Sequence, residues 1–385
     1  MRLAQQQRWD IFCAVVDNFG DIGICWRLSR QLVAEHGLAV RLWVDDLVSF
    51  QRLCPAIDPN LTEQQQAGVL ICHWQVQTPW QSTTPGTVVV EALACTIPFA
   101  YQQQMAQQAV KPLWLNLEYL SAESWIEACH TMASPQPQLP LIKYFFFPGF
   151  SEKTGGLLCE QGRIAQLSAF QQDALAQQHF WQQLGISLTD ENTLKVSLFA
   201  YTQQALGSLL ALWQEYDRPV LCVIPLGALA DQAKQLLPGL SLEQPWQAGS
   251  LTVHLLAFLP QPQYDYLLSA CDINFVRGED SVIRAQWAAK PFIWQIYRQA
   301  EQAHIDKLSA FLARYTAEFP AELASVVQKL HLQWNTEQDV QHSWQDFALV
   351  SSQIAQLNQL WRNKLESFGD LASNLVRFAE KKIIM

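Results

Sequence analysis

Arg277-Gly278-Glu279-Asp280-Ser281 sets a cation, a glycine, two acids and a hydroxyl on five consecutive residues. The run follows apolar Ile273–Val276 and precedes Val282, Ile283 and Trp287, so it reads as a turn from a buried strand into a helix. Ser281 is expected to cap that helix, and Gly278 to take a backbone angle other residues avoid. Arg277 brings a fork of donors and the helix end its unpaired amides, which together suit a diphosphate. Glu279 adds a carboxylate beside the anion. The same five residues would also serve as an ordinary capped surface loop. A second acidic stretch, Asp17-Asn18-Phe19-Gly20-Asp21-Ile22-Gly23, follows the apolar run Ile11–Val16. Its acids fall where α/β sheets receive ligands, at the carboxyl end of a strand, although Asp and Asn are also common turn and cap residues.

The elements that must hold these stretches follow an alternating order. Strands are expected at 11–16, 39–44, 69–74, 88–90 and 112–117, with helices after Gly23 and over 97–108 and 121–129. A Pro-rich loop, Ser134–Pro140, and an aromatic run, Tyr144–Phe150, come next. The Gln-rich segment 165–183 has helical spacing. A second alternation opens with strand 194–199, then helix 203–215, strand 220–224, helix 229–237, strand 251–255, helix 264–270 and strands 273–276 and 292–295. The tail is helical. The order predicts two Rossmann-like α/β domains with parallel sheets facing across a cleft, the GT-B arrangement, with the last helix returning to the N-terminal domain. The expected division is 1–183 plus 365–385 against 184–364. Epimerases share this architecture, so fold alone does not name an activity.

Bulk properties narrow the classes. The chain has 385 residues, half apolar and 16% charged, which is globular and large enough for two cores. A formal charge of −10 argues against a general nucleic-acid binder. The Gln-rich start, Met1–Trp9, does not read as a signal peptide, and no apolar run reaches the length of a membrane span. Nine cysteines without a Cys-x-x-Cys pair read as reduced thiols, pointing to the cytoplasm. The eight histidines show no metal-ligand spacing; His73 and His254 lie in apolar strands. Asp45-Asp46 reads as a helix cap and solvated turn, and Trp26, Trp213 and Trp287 as packing. The first loop lacks the three-glycine dinucleotide fingerprint, which disfavours a nicotinamide enzyme.

Five stretches resemble one family. Val15-Val16-Asp17-Asn18-Phe19-Gly20-Asp21-Ile22-Gly23-Ile24-Cys25-Trp26-Arg27-Leu28 is similar to the start of the EarP family, protein-arginine rhamnosyltransferases that modify bacterial elongation factor P. Phe145–Phe150 with Lys153–Leu158, Ser197–Tyr201, Phe258–Gln261 and Arg277–Ser281 resemble the same family in order and spacing. The resemblance implies dTDP-β-L-rhamnose as donor, on the second domain, and an inverting transfer without metal or other cofactor. The implied acceptor is one arginine of the factor's N-terminal domain, held by the first domain, with the modified factor then relieving ribosomes stalled on polyproline. It also implies that Phe258 stacks on thymine with Gln261 near the nucleotide. Phe199, Tyr201, Arg277, Gly278, Asp280 and Ser281 would line the donor site. Asn18, Phe19 and Gly20 would bind substrate, Asp17 and Asp21 would face the acceptor guanidinium, and Glu279 would complete the acidic site.

Such chemistry asks for carboxylates. A guanidinium has a pKa above 12, so one nitrogen must be oriented at the anomeric carbon and give up a proton as the bond forms. Carboxylates pair with guanidinium and also act as bases. Asp21 is taken as the base, Asp17 as a guanidinium holder and Glu279 as an anchor for sugar or acceptor, the ranking among the three left open. Rival expectations are a GT-B nucleotide-sugar transferase with a carbohydrate or lipid acceptor and a nucleotide-binding module without catalysis.

Overall fold

The computed structural model describes residues 7–16, 20–188, 190–298 and 303–384. The chain divides into a unit of residues 1–161 with 365–385 and a unit of residues 162–364.

The first unit runs β1 (Arg8–Cys13), α1 (Gly20–His36), β2 (Ala39–Val44), α2 (Leu47–Leu53), β3 (Glu63–Gln66), β4 (Val69–His73), β5 (Val88–Ala92), α3 (Phe99–Gln107), β6 (Leu113–Leu117), α4 (Ile126–Cys129), β7 (Ala133–Pro135) and β8 (Ile142–Phe146). Its sheet has the order β3-β4-β2-β1-β5-β6-β8-β7. The pairings are parallel except β3 with β4 and β7 with β8. Runs such as Val88–Val90 are buried because helices cover a parallel sheet on both faces. Aromatic packing fills one side: Phe12 stacks on Trp43 at 5.9 Å and meets Tyr101 edge-on at 4.8 Å. Buried charge in this core is paired, as Arg41 forks onto Asp10 at 2.9 and 2.6 Å and Gly86 N–H donates to the same carboxylate at 2.7 Å.

The second unit runs α5 (Arg163–Gln172), α6 (Ala174–Gln183), β9 (Leu194–Leu198), α7 (Leu206–Gln214), β10 (Val220–Pro225), α8 (Ala228–Leu236), β11 (Trp246–Ala248), β12 (Leu251–Leu256), α9 (Gln261–Ala270), β13 (Ile273–Arg277), α10 (Asp280–Ala288), β14 (Phe292–Gln295), α11 (Ala303–Tyr315), α12 (Ala321–Asn335), α13 (Gln341–Leu349) and α14 (Ser351–Ser367). Its sheet has the order β11-β12-β10-β9-β13-β14, parallel but for β11. Helix α15 (Leu371–Ile384) belongs to the first unit and packs against α1 and β6. The loop Phe147–Leu158 receives it: Asn374 donates to Gly155 O at 3.0 Å, Leu371 N–H to Leu157 O at 3.0 Å, and Gly156 sits at φ +74° against Gly369.

Several expectations change. The helix expected over 165–183 breaks at Asp173, whose carboxylate caps α6 by accepting Ala176 N–H at 3.0 Å. Because α5 packs on α9 and α10, the units divide at 161/162, not at 183/184. The helix expected over 121–129 shortens to α4, and the Pro-rich stretch contributes the edge strand β7. Polar β3, Glu-Gln-Gln-Gln, has none of the apolar alternation by which strands are recognised. Trp26, Trp213 and Trp287 are core residues, all nine cysteines are free thiols, and among the described residues no helix is long and apolar enough to cross a membrane.

Candidate active site

In the second sheet β9 lies between β10 and β13, so successive crossovers depart from it in opposite directions. Loops part at the carboxyl end of such a strand and leave a crevice for ligand. Phe199, Ala200 and Tyr201 leave β9 there, and Arg277 ends β13 beside them. The guanidinium carbon of Arg277 lies 4.7 Å from the centre of the Phe199 ring and 4.5 Å from that of Tyr201. A planar cation held by two aromatic rings is attracted by their faces and keeps its donor edges for an anion. Tyr201 is fixed in turn: its N–H donates to Gln295 Oε1 at 2.8 Å, and Tyr297 meets its ring edge-on at 5.8 Å. Buried Gln295 ends the neighbouring strand, β14.

The turn into α10 departs from the expected cap. Gly278 has φ +63°, and its carbonyl accepts Trp294 Nε1 at 2.8 Å. Glu279, half-buried, occupies the N-cap position, and α10 starts at Asp280. Ser281 is therefore inside the first turn rather than capping it. Its hydroxyl accepts Arg277 N–H at 3.0 Å and donates to Arg277 O, so it ties the turn to the strand end. The Asp280 carboxylate turns inward and accepts Arg284 Nε at 2.7 Å, and Arg284 also binds Asp265 at 2.7 Å. Gln261, at the start of α9, donates to Asp280 at 3.5 Å. The positive end of α10 therefore lies beside the Arg277 cation, and a helix N-terminus of this kind favours an anion. Phe258 follows β12 and is 45% exposed. Behind Phe199 lies Tyr264 at 5.8 Å, its hydroxyl pushed to a high pKa by burial.

In the first unit the carboxyl end of β1 leads to Asp21, in the first turn of α1 and 2% exposed. Its Oδ2 accepts Val16 N–H at 2.9 Å, and its Oδ1 accepts the Tyr119 hydroxyl at 3.4 Å. Asp45 accepts Val15 N–H at 2.8 Å, so two carboxylates grip consecutive amides of the loop after β1. Asp46 caps α2 through Val48 and Ser49, as expected, and those bonds hold its carboxyl below the ordinary range despite partial burial. Gly20 opens α1 and is half-buried. Asp17, Asn18 and Phe19 lie outside the described residues.

These positions match a known group. The sequence fits the profile of "Elongation-Factor P (EF-P) rhamnosyltransferase EarP" over residues 9–380. The chain belongs to the EarP family. A "Protein-arginine rhamnosyltransferase" of Pseudomonas putida is 46% identical over 372 residues, 96% of this chain and 98% of that protein. One of Pseudomonas aeruginosa with the same name is 44% identical, with the same coverage. A solved structure described as the "structural basis for EarP-mediated arginine glycosylation of translation elongation factor EF-P" is 33% identical, with a TM-score of 0.69 over 97% of this chain and 99% of that one. A UDP-GlcNAc 2-epimerase from Neisseria meningitidis, 11% identical with a TM-score of 0.51 over 97% of this chain and 99% of that one, shares the fold alone. The fold is GT-B, as expected.

Three EarP motifs, Ser197–Tyr201, Phe258–Gln261 and Arg277–Ser281, lie at carboxyl ends of strands in the second sheet, while the Phe145–Leu158 motif docks α15. Residues that sequence reading missed include Tyr119, Gln295 and Arg284. Arg284 had a signal, since it stands four positions after Asp280 on one helix. Tyr119 is 98 positions from Asp21 and had none. Among the described residues no group of three or more His, Cys, Asp and Glu side chains could hold a metal ion.

Proposed function

We propose that this chain transfers rhamnose from dTDP-β-L-rhamnose to one arginine in the N-terminal domain of elongation factor P, with inversion at the anomeric carbon. Membership of the EarP family, with relatives named protein-arginine rhamnosyltransferases, supports the reaction class and acceptor. The observation that carries the site is Arg277 between Phe199 and Tyr201, next to the first turn of α10.

In this reading the donor diphosphate lies on Arg277 and the α10 amides, with Phe258 and Gln261 toward the nucleoside. An acceptor guanidinium nitrogen forms a bond to C1 of the sugar. The bond from C1 to the diphosphate oxygen breaks, and its electron pair departs with dTDP. That oxygen gains negative charge as the bond lengthens, and Arg277 with the amides is already oriented to receive it. The nitrogen's proton passes to Asp21, so the product remains a guanidinium in which one N–H has become N–C1. Asp17 and Glu279 serve as the further acids, holding the guanidinium and the sugar. Attack from the face opposite the leaving group turns the β-linked donor into an α-linked product. The reaction belongs in the cytoplasm, a placement the nine free cysteines support.

Intact-mass analysis of unmodified elongation factor P, incubated with this protein and dTDP-rhamnose, tests the reading. The expected result is a gain of one deoxyhexose, mapped to one arginine. An unchanged mass with the donor intact would contradict it.

A further inference from the structure

Asp21 is a carboxylate 2% exposed, and each of its oxygens is approached by a different donor. Val16 N–H reaches Oδ2 from the loop after β1, at 2.9 Å, and the Tyr119 hydroxyl reaches Oδ1 at 3.4 Å. Tyr119 stands two residues beyond β6, which is separated from β1 by β5 in the sheet order. The hydroxyl therefore crosses the end of β5 to meet a residue of α1. A carboxylate turns about its Cβ–Cγ bond in a broad, shallow well unless its oxygens are held. With one oxygen held by a backbone amide and the other approached by a phenol, rotation of the group is restricted from two sides. The Cys13 thiol senses this carboxylate: it bonds Cys25 and is held well above its ordinary pKa by that bond, by burial and by the charge of Asp21.

We propose that Tyr119 is a positioning residue for the transfer, its hydroxyl fixing the Asp21 carboxylate in the orientation from which it takes the proton of the acceptor guanidinium. The inference rests on the reading of Asp21 as the base. A 3.4 Å bond is long for a phenol and a carboxylate, as catalytic hydrogen bonds often are before substrate binds, and it shortens once the acceptor draws Asp21 into line. The phenol contributes by alignment, and small errors of alignment at a reacting atom cost rate rather than binding.

The test is Tyr119→Phe, which keeps the ring and deletes only the donor. The expected outcome is a fall in kcat of about tenfold, the size of one hydrogen bond to a charged group, with KM for the sugar nucleotide and Tm unchanged. A double variant with Asp21→Glu adds the second readout. If Tyr119 acts through that carboxylate, the two losses combine to much less than their product, because displacing the carboxylate already forfeits the alignment. Unchanged kcat in Tyr119→Phe, a parallel loss of donor affinity and Tm, or losses that multiply in full would each overturn the proposal. Separately, Asp21→Asn with ordinary turnover would remove the base reading itself, whereas an inactive Asp21→Asn beside an unimpaired Tyr119→Phe would remove only the role of Tyr119.

Discussion

The Arg277 guanidinium carbon stands 4.5 Å from the centre of the Tyr201 ring, and the two residues come from the carboxyl ends of adjacent strands, β13 and β9. The Tyr201 backbone is held by Gln295 from the next strand over, so the stack is built on three neighbouring strands and not on a loop alone.

That stack predicts an asymmetric response to substitution. Arg277→Lys keeps the charge but loses the planar fork and much of the ring contact. Donor affinity should fall about 10- to 100-fold, the worth of one or two charge-assisted bonds, measured by titration calorimetry with dTDP. Tyr201→Phe, which keeps a ring face, should cost much less than Tyr201→Ala.

Arg284 is 3% exposed and joins Asp280 and Asp265, the latter 4% exposed and also 3.5 Å from Arg163. Arg284→Met should lower unfolding stability by about 3–5 kcal/mol in urea titration, since it removes the buried cation that Asp265 and Asp280 share. The same variant should weaken dTDP binding by loosening the first turn of α10.

Gly156 lies at φ +74°, where a side chain is strained, and an added Cβ would collide with the carbonyl of Gly369. Gly156→Ala should cost about 1–3 kcal/mol. The loss should appear first as faster amide exchange in α15, which this loop docks.

Acid should weaken the fold through two histidines. His331 is fully buried and His130 partly so, and desolvation lowers each to about 4. His130 Nδ1 also accepts Phe147 N–H at 3.1 Å, which requires the neutral ring. An unfolded histidine takes its proton near 6.5, so between about 6.5 and 4 the unfolded chain binds more protons and stability falls as pH drops. Replacing His331 by Leu should flatten the slope of unfolding free energy against pH over that window.

Much of this was legible because parallel strands buried on both faces leave continuous apolar runs, as at Val220–Ile224, and because the turn Arg277–Ser281 sits between two such signals. The family motifs carried the choice of Phe258 and Tyr201, which composition would assign to the core. Tertiary placement was not legible. Nothing near Tyr119 announces Asp21, and Ser281 has the right type for a cap but spends its hydroxyl on Arg277. The division at 161/162 depends on α5 packing against α9 and α10, a contact between segments a hundred residues apart that no local pattern reports.

The most direct test of the account is the single-turnover rate of Asp21→Asn at saturating dTDP-rhamnose, with the enzyme in excess over elongation factor P and dTDP affinity measured alongside. The account predicts unchanged dTDP affinity and a transfer rate lowered by about two to four orders of magnitude, the usual contribution of a positioned base. Transfer at the ordinary rate would contradict it.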